Sequence, residues 1–167
     1  MNAKRTLLCI AAVTLAWQVG ARAQVDVRDI ESKNDVLMIE ATFAHHTPEQ
    51  LFACWTEPRL LARWWCQQAE VEAKVGGKYV LSWPMANRVV KGTITRLAAG
   101  KLLEFTWEEA GRPPLRTMTI TFQASPGGTV LRVERHPYAD NPAEQAERAS
   151  HAKAWKVFFK ALDNIKP

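Results

Sequence analysis

Residues 141–165, NPAEQAERASHAKAWKVFFKALDNI, decide how the rest of the chain is read. Asn141 is a good N-cap and Pro142 suits the first helical position. Glu144, three places after the cap, can reach back to the free amides. Beyond that start, His151, Trp155, Phe158, Leu162 and Ile165 recur at steps of four, three, four and three, which is one face of an α-helix. Val157, Phe159 and Ala161 widen the face, while Glu147, Lys153, Lys156, Lys160 and Lys166 stay off it. No Gly or Pro interrupts the run, so a helix of about 35 Å is expected. So long a stripe, centred on a Trp, needs a broad apolar surface to lie on.

The upstream segments are patterned to supply that surface. Residues 35–43 read as a strand through Val36, Leu37, Met38, Ile39, Thr42 and Phe43. Thr47-Pro48-Glu49-Gln50 repeats the helix-start logic, with Leu51, Phe52 and Trp55 as the apolar side. Glu57-Pro58 breaks that helix, and a second short one carries Leu60, Leu61, Trp64 and Trp65. From Glu70 the period changes to two. Val71, Ala73 and Val75 alternate up to a Gly76-Gly77 hairpin, and Tyr79, Leu81 and Trp83 alternate on the way back. Gly92 interrupts the strand 89–97, which signals a bulge or a close backbone approach. Leu103, Phe105 and Trp107 follow, then a Gly111-Arg112-Pro113-Pro114 loop, then Met118, Ile120 and Phe122 between threonines. After the Pro126-Gly127-Gly128 turn, Leu131 and Val133 alternate with Arg132 and Glu134. Strand, two helices, about six strands and one long helix, joined by short turns, give an α+β domain with an antiparallel sheet. The length and the 47% hydrophobic and 23% charged composition suit one such domain.

The first residues fall outside that pattern. Lys4-Arg5, an apolar run from Thr6 to Trp17, and Ala21-Arg22-Ala23 are the three parts of a secretory signal peptide, with cleavage expected before Gln24. The division expected is therefore a leader at 1–23, a polar flexible arm at 24–34 and the domain at 35–167. Such a chain works in the periplasm or is secreted, with no stable membrane insertion after cleavage. Loss of Lys4, Arg5 and Arg22 lowers the net charge from +5 to +2. The remaining basic residues are scattered among acidic ones, which argues against nucleic acid as a partner. Cys54 and Cys66 survive processing, as a disulfide or as two separately buried thiols.

Several stretches together resemble the helix-grip fold of the START/polyketide-cyclase (SRPBCC) superfamily, in its branch named for the activator of heat-shock ATPase homologue. They are Thr47-Pro48-Glu49-Gln50-Leu51-Phe52, Trp55-Thr56-Glu57-Pro58, Leu60-Leu61-Ala62-Arg63-Trp64-Trp65, Val75-Gly76-Gly77-Lys78-Tyr79, Gly92, Leu103-Glu104-Phe105-Thr106-Trp107, Gly127-Gly128-Thr129 and His151 four before Trp155. Two positions depart from the pattern: Cys66 and Ala154 stand where the family usually has Gly. The resemblance implies a curved antiparallel sheet of about six or seven strands wrapped on the C-terminal helix. It also implies an apolar cavity between them, lined by Trp83, Phe105, Trp107, Met118, Ile120, Trp155 and Phe159, with His151 as a polar handle or weak catalytic candidate. The two departures narrow the expected cavity mouth.

The chemistry-bearing residues are few. His45-His46 point in different directions from a loop, His136 and His151 are remote, and no Cys or carboxylate completes a metal set. No Ser-His-Asp signature, Gly-rich phosphate loop or zincin motif is present. His45 and His46 therefore read as surface residues ahead of a helix cap. The function expected is non-enzymatic binding or transport of a small hydrophobic ligand, by a monomer or homodimer and without a cofactor. A cyclase- or aromatase-like enzyme using His151, and a co-chaperone-like interaction module, are the alternatives.

Overall fold

Alternation along residues 102–136 becomes three long antiparallel strands whose buried residues face one side. The computed structural model describes residues 25–30 and 35–166; the expected leader lies outside the described residues. In chain order the elements are β1 (Val27–Asp29), β2 (Leu37–Phe43), α1 (Pro48–Thr56), α2 (Pro58–Leu61), β3 (Gln68–Val71) and β4 (Lys78–Trp83). A 3₁₀ turn (Pro84–Ala86), β5 (Arg88–Ala98), β6 (Leu102–Glu109), β7 (Arg112–Ser125), β8 (Gly128–His136) and α3 (Pro142–Asp163) follow. All strands join one antiparallel sheet in the order β1-β2-β8-β7-β6-β5-β4-β3. This is the helix-grip arrangement, with eight strands rather than the six or seven expected.

The additional strand is β1, in the stretch expected as a loose arm. It has no alternation to betray it: its three residues hydrogen-bond to the edge of β2, and Arg28 bridges to Glu40 at 3.0 Å. Two further differences are local. β3 ends at Val71, and residues 72–77 form a wider connection in which Val75 is exposed. Gly77 is required there, since a Cβ would strike the Glu72 carbonyl. The expected Gly111–Pro114 loop is mostly strand, because the turn closes at Gly111 (φ +76°) and β7 begins at Arg112. Gly92 marks a close approach: a Cβ would run into the Thr106 carbonyl of the neighbouring strand.

Both helix starts form as the residue pattern predicts. Thr47 accepts from the Gln50 amide while the Gln50 side chain accepts from the Thr47 amide, and Asn141 accepts from the Glu144 amide. The stripe of α3 is rotated slightly from expectation. Ala152, Trp155, Phe159 and Leu162 are its buried apolar residues, Phe158 lies at the margin, and Val157 faces solvent. Phe43 meets Phe159 edge-on at 5.6 Å between ring centroids. Trp55 stacks on Trp155 at 5.8 Å, and both contact Trp65. Each such buried side chain contributes about 1.5–3 kcal/mol of transfer free energy, which is what fixes α3 on the sheet.

His46 is not the surface residue expected. It is buried, its Nε2 lies 2.8 Å from the Ile165 carbonyl, and Thr129 donates to its own carbonyl. It ties the loop before α1 to the end of the chain. His45, its neighbour, is exposed. Among the described residues no group of three or more His, Cys, Asp or Glu side chains gathers as a metal site, and no helix is long and apolar enough to cross a membrane. Cys54 and Cys66 are both buried free thiols.

Candidate functional site

One end of the space between sheet and helix is left open. Trp107 of β6, Met118 of β7 and Arg135 of β8 supply its floor, as inward-facing positions of neighbouring strands. His151, Ala154, Trp155 and Phe158 supply its roof, one side of two turns of α3. Trp65, from the turn after α2, and Arg88, the first residue of β5, complete a cavity of about 100 Å³. Arg88 also borders an outer depression of about 410 Å³, lined by Ala86, Asn87, Val89, Glu109 and Ala110.

The structure divides the sequence-expected lining residues into two groups. Trp107, Met118, His151 and Trp155 meet at the cavity. Phe105, Ile120 and Phe159 do not reach it: they are fully buried in closed core, Phe105 stacked on Tyr79 at 3.9 Å and Phe159 against Phe43. Trp83 stands beside the site, donating its indole N–H to the Trp65 carbonyl at 2.9 Å with the Arg88 guanidinium over its ring. The enclosed space is thus shorter than the elongated cavity expected, because three aromatic or branched side chains fill its inner half.

Sequence reasoning missed the arginines. Arg88, Arg116 and Arg135 converge here with Tyr138 and three carboxylates. Arg88 pairs with both oxygens of Glu109, at 2.8 and 2.9 Å. Arg116 donates to Glu144 at 2.7 Å, to Glu147 at 3.0 Å and to the Pro137 carbonyl, and its guanidinium lies 4.1 Å from the Tyr138 ring centroid. It pins the first turns of α3 to β7. Arg135 is 5% exposed and sits over Trp107 at 4.9 Å. Its Nη1 is 3.0 Å from His151 Nδ1, and the Tyr138 hydroxyl is 2.9 Å from the same nitrogen. Continuing the period of β8 past Leu131 and Val133 already places Arg135 inward, so the signal was present as a charge at an apolar parity.

These surroundings fix the charge of the imidazole. Burial, then the positive fields of Arg135, Arg116 and Arg88, push the His151 pKa down to about 3. The ring is neutral at ordinary pH and offers a lone pair to Arg135, which can only donate. Burial likewise raises Tyr138 and draws Arg135 below its usual value. Two N–H groups in this wall have no partner among the described residues: Arg135 Nε and Trp107 Nε1.

The sequence profile of the family described as Activator of Hsp90 ATPase homolog 1-like protein matches residues 45–165. The chain belongs to this family. The solved structures agree on the fold. Protein MLL2253 from Mesorhizobium loti is similar at 24% identity and a TM-score of 0.68, over 77% of this chain and 93% of that one. A Rhodobacter sphaeroides protein is similar at 22% identity and 0.70, over 82% and 95%. CalU16 from Micromonospora echinospora is similar at 15% and 0.63, over 83% and 82%. At such identities the likeness shows the fold alone. A search of curated proteins found no match. In this family member the site is therefore read from its own residues.

Proposed function

We propose that the protein is a non-enzymatic binder or carrier of a small hydrophobic ligand, held between the sheet and α3 and working outside the cytoplasm. The observation that carries the reading is the cavity itself: an aromatic and thioether enclosure of Trp65, Trp107, Met118, Trp155 and Phe158 with three polar side chains, Arg88, Arg135 and His151, among them. Apolar walls with a few placed polar groups are what a small hydrophobic molecule needs. At about 100 Å³ the cavity is below the roughly 300–1,000 Å³ of most small-molecule sites. It therefore encloses one end of the ligand, and the depression beyond Arg88 takes the body. A neutral His151 with its lone pair engaged is poorly placed to deliver a proton, which favours binding over chemistry. The leader pattern at residues 1–23 supports export.

The test is to express the full chain, recover it from the periplasmic fraction, and take denaturing and native mass spectra. A mass beginning at Gln24 with a small apolar molecule retained in the native spectrum supports the carrier. Turnover of that molecule, lost in His151→Ala while binding persists, would move the reading to a cyclase- or aromatase-like enzyme. A protein still beginning at Met1, cytosolic and empty, would restore the interaction-module reading.

A further inference from the structure

We propose that the Arg135 end of the cavity is a carboxylate subsite, so that the ligand is a small hydrophobic monocarboxylic acid. The inference rests on the ligand-binding reading above and deepens it. A buried guanidinium is costly without an acidic partner. Arg88 and Arg116 each have carboxylate oxygens within 3.0 Å. Arg135, 95% buried by the same measure, has none among the described residues: its contacts are a neutral imidazole and the faces of Trp107 and Tyr138. The carboxylates around the cavity are already engaged, Glu109 by Arg88 and Glu147 by Arg116.

The unpartnered atoms sharpen the chemistry. Arg135 Nε and Trp107 Nε1 belong to two residues lining the same cavity, both buried, and both can only donate. Few buried N–H groups are left unpaired in native proteins, so two on one small cavity call for an acceptor that comes from outside. A carboxylate brings two acceptor oxygens and one negative charge, matching two donors and one guanidinium without a carboxylate. A phosphate dianion would overcharge the site. With roughly 30 Å³ per water-sized group, about 100 Å³ accommodates about three such groups, the size of a carboxyl group, with the carbons beyond it at the cavity mouth. Met118, Ala154, Trp155 and Phe158 then require those carbons to be apolar.

Octanoate and octanamide separate the two levels of the argument, because they share a chain and differ only in the head. Each is titrated calorimetrically into the full-length protein. Octanoate is expected to bind at least about tenfold more tightly, the usual scale of a charge-assisted hydrogen bond. Arg135→Met should erase the preference, weakening octanoate by more than it weakens octanamide. Trp107→Phe keeps an aromatic ring, removes one donor, and should reduce the preference about threefold; it decides the matter if Arg135→Met does not fold. Equal affinity for the two probes, or a preference that survives in both variants, would overturn the subsite and leave the apolar binder standing. Failure of both probes to bind would overturn both.

Discussion

Arg135 and His151 lie in hydrogen-bonding contact, Nη1 to Nδ1 at 3.0 Å, across the interface between β8 and α3. A charged guanidinium beside an imidazole in a half-closed cavity leaves the imidazole one comfortable state, the neutral one. His151 thus belongs to the adhesion of helix to sheet as well as to the site.

That pairing sets a pH dependence. The unfolded ring titrates near 6.5 and the folded ring near 3, so between those values the unfolded chain binds more protons. Stability from this group is present above pH 6.5 and is lost as pH falls toward about 3. Urea unfolding of wild type and His151→Gln across that range should show the wild-type advantage shrinking with acid. A constant gap would contradict the assignment.

Arg116 anchors the start of α3 to β7. Its side chain is 4% exposed and binds Glu144 and Glu147 together. Arg116→Met leaves two carboxylates facing a vacated site, and breaking a buried pair costs about 3–5 kcal/mol. Chemical denaturation should show a loss on that scale, with hydrogen exchange in residues 142–148 rising first.

Trp155 joins the aromatic group of Trp55 and Trp65 to the helix. Trp155→Ala removes a large buried ring that also walls the cavity, at an expected cost of about 3–5 kcal/mol. Near-ultraviolet circular dichroism should lose intensity well before the far-ultraviolet signal changes.

The two thiols should be inert in the folded protein. Burial raises both Cys54 and Cys66 to about 11, so little thiolate exists at pH 8. Neither should react with a disulfide reagent on the minutes scale until urea is added. Rapid labelling of either in native buffer would contradict the burial.

Much of the fold was legible because its signals are local. The Thr47 and Asn141 caps, the glycine approach at Gly92 and the alternation of Met118, Ile120 and Phe122 each follow from a few neighbouring residues. β1 was hidden because three residues of edge strand carry no period and depend on β2 for their pairing. The site was half legible. The aromatic residues could be found by periodicity, but depth along a strand could not, and depth separates cavity-lining Trp107 from core Phe105. Arg116 and Arg135 were passed over because charged residues are usually outside. Their inward parity only gains meaning beside Glu144, Glu147 and His151, which arrive from a helix later in the chain.

The pairing of β2 with β8 has a consequence for the order in which the chain can mature. Leu37 lies opposite Arg135 and Phe43 opposite Thr129, so β2 finds this neighbour only after the helices and five further strands between them have been made. Until then a row of backbone amides and carbonyls stays unpaired along β2, and the concave face waits for a helix not yet synthesised. Contacts so distant in sequence fold slowly and late. A chain stalled before residue 128 would therefore display a sticky, protease-sensitive intermediate, and addition of β8 and α3 would close it in one cooperative step.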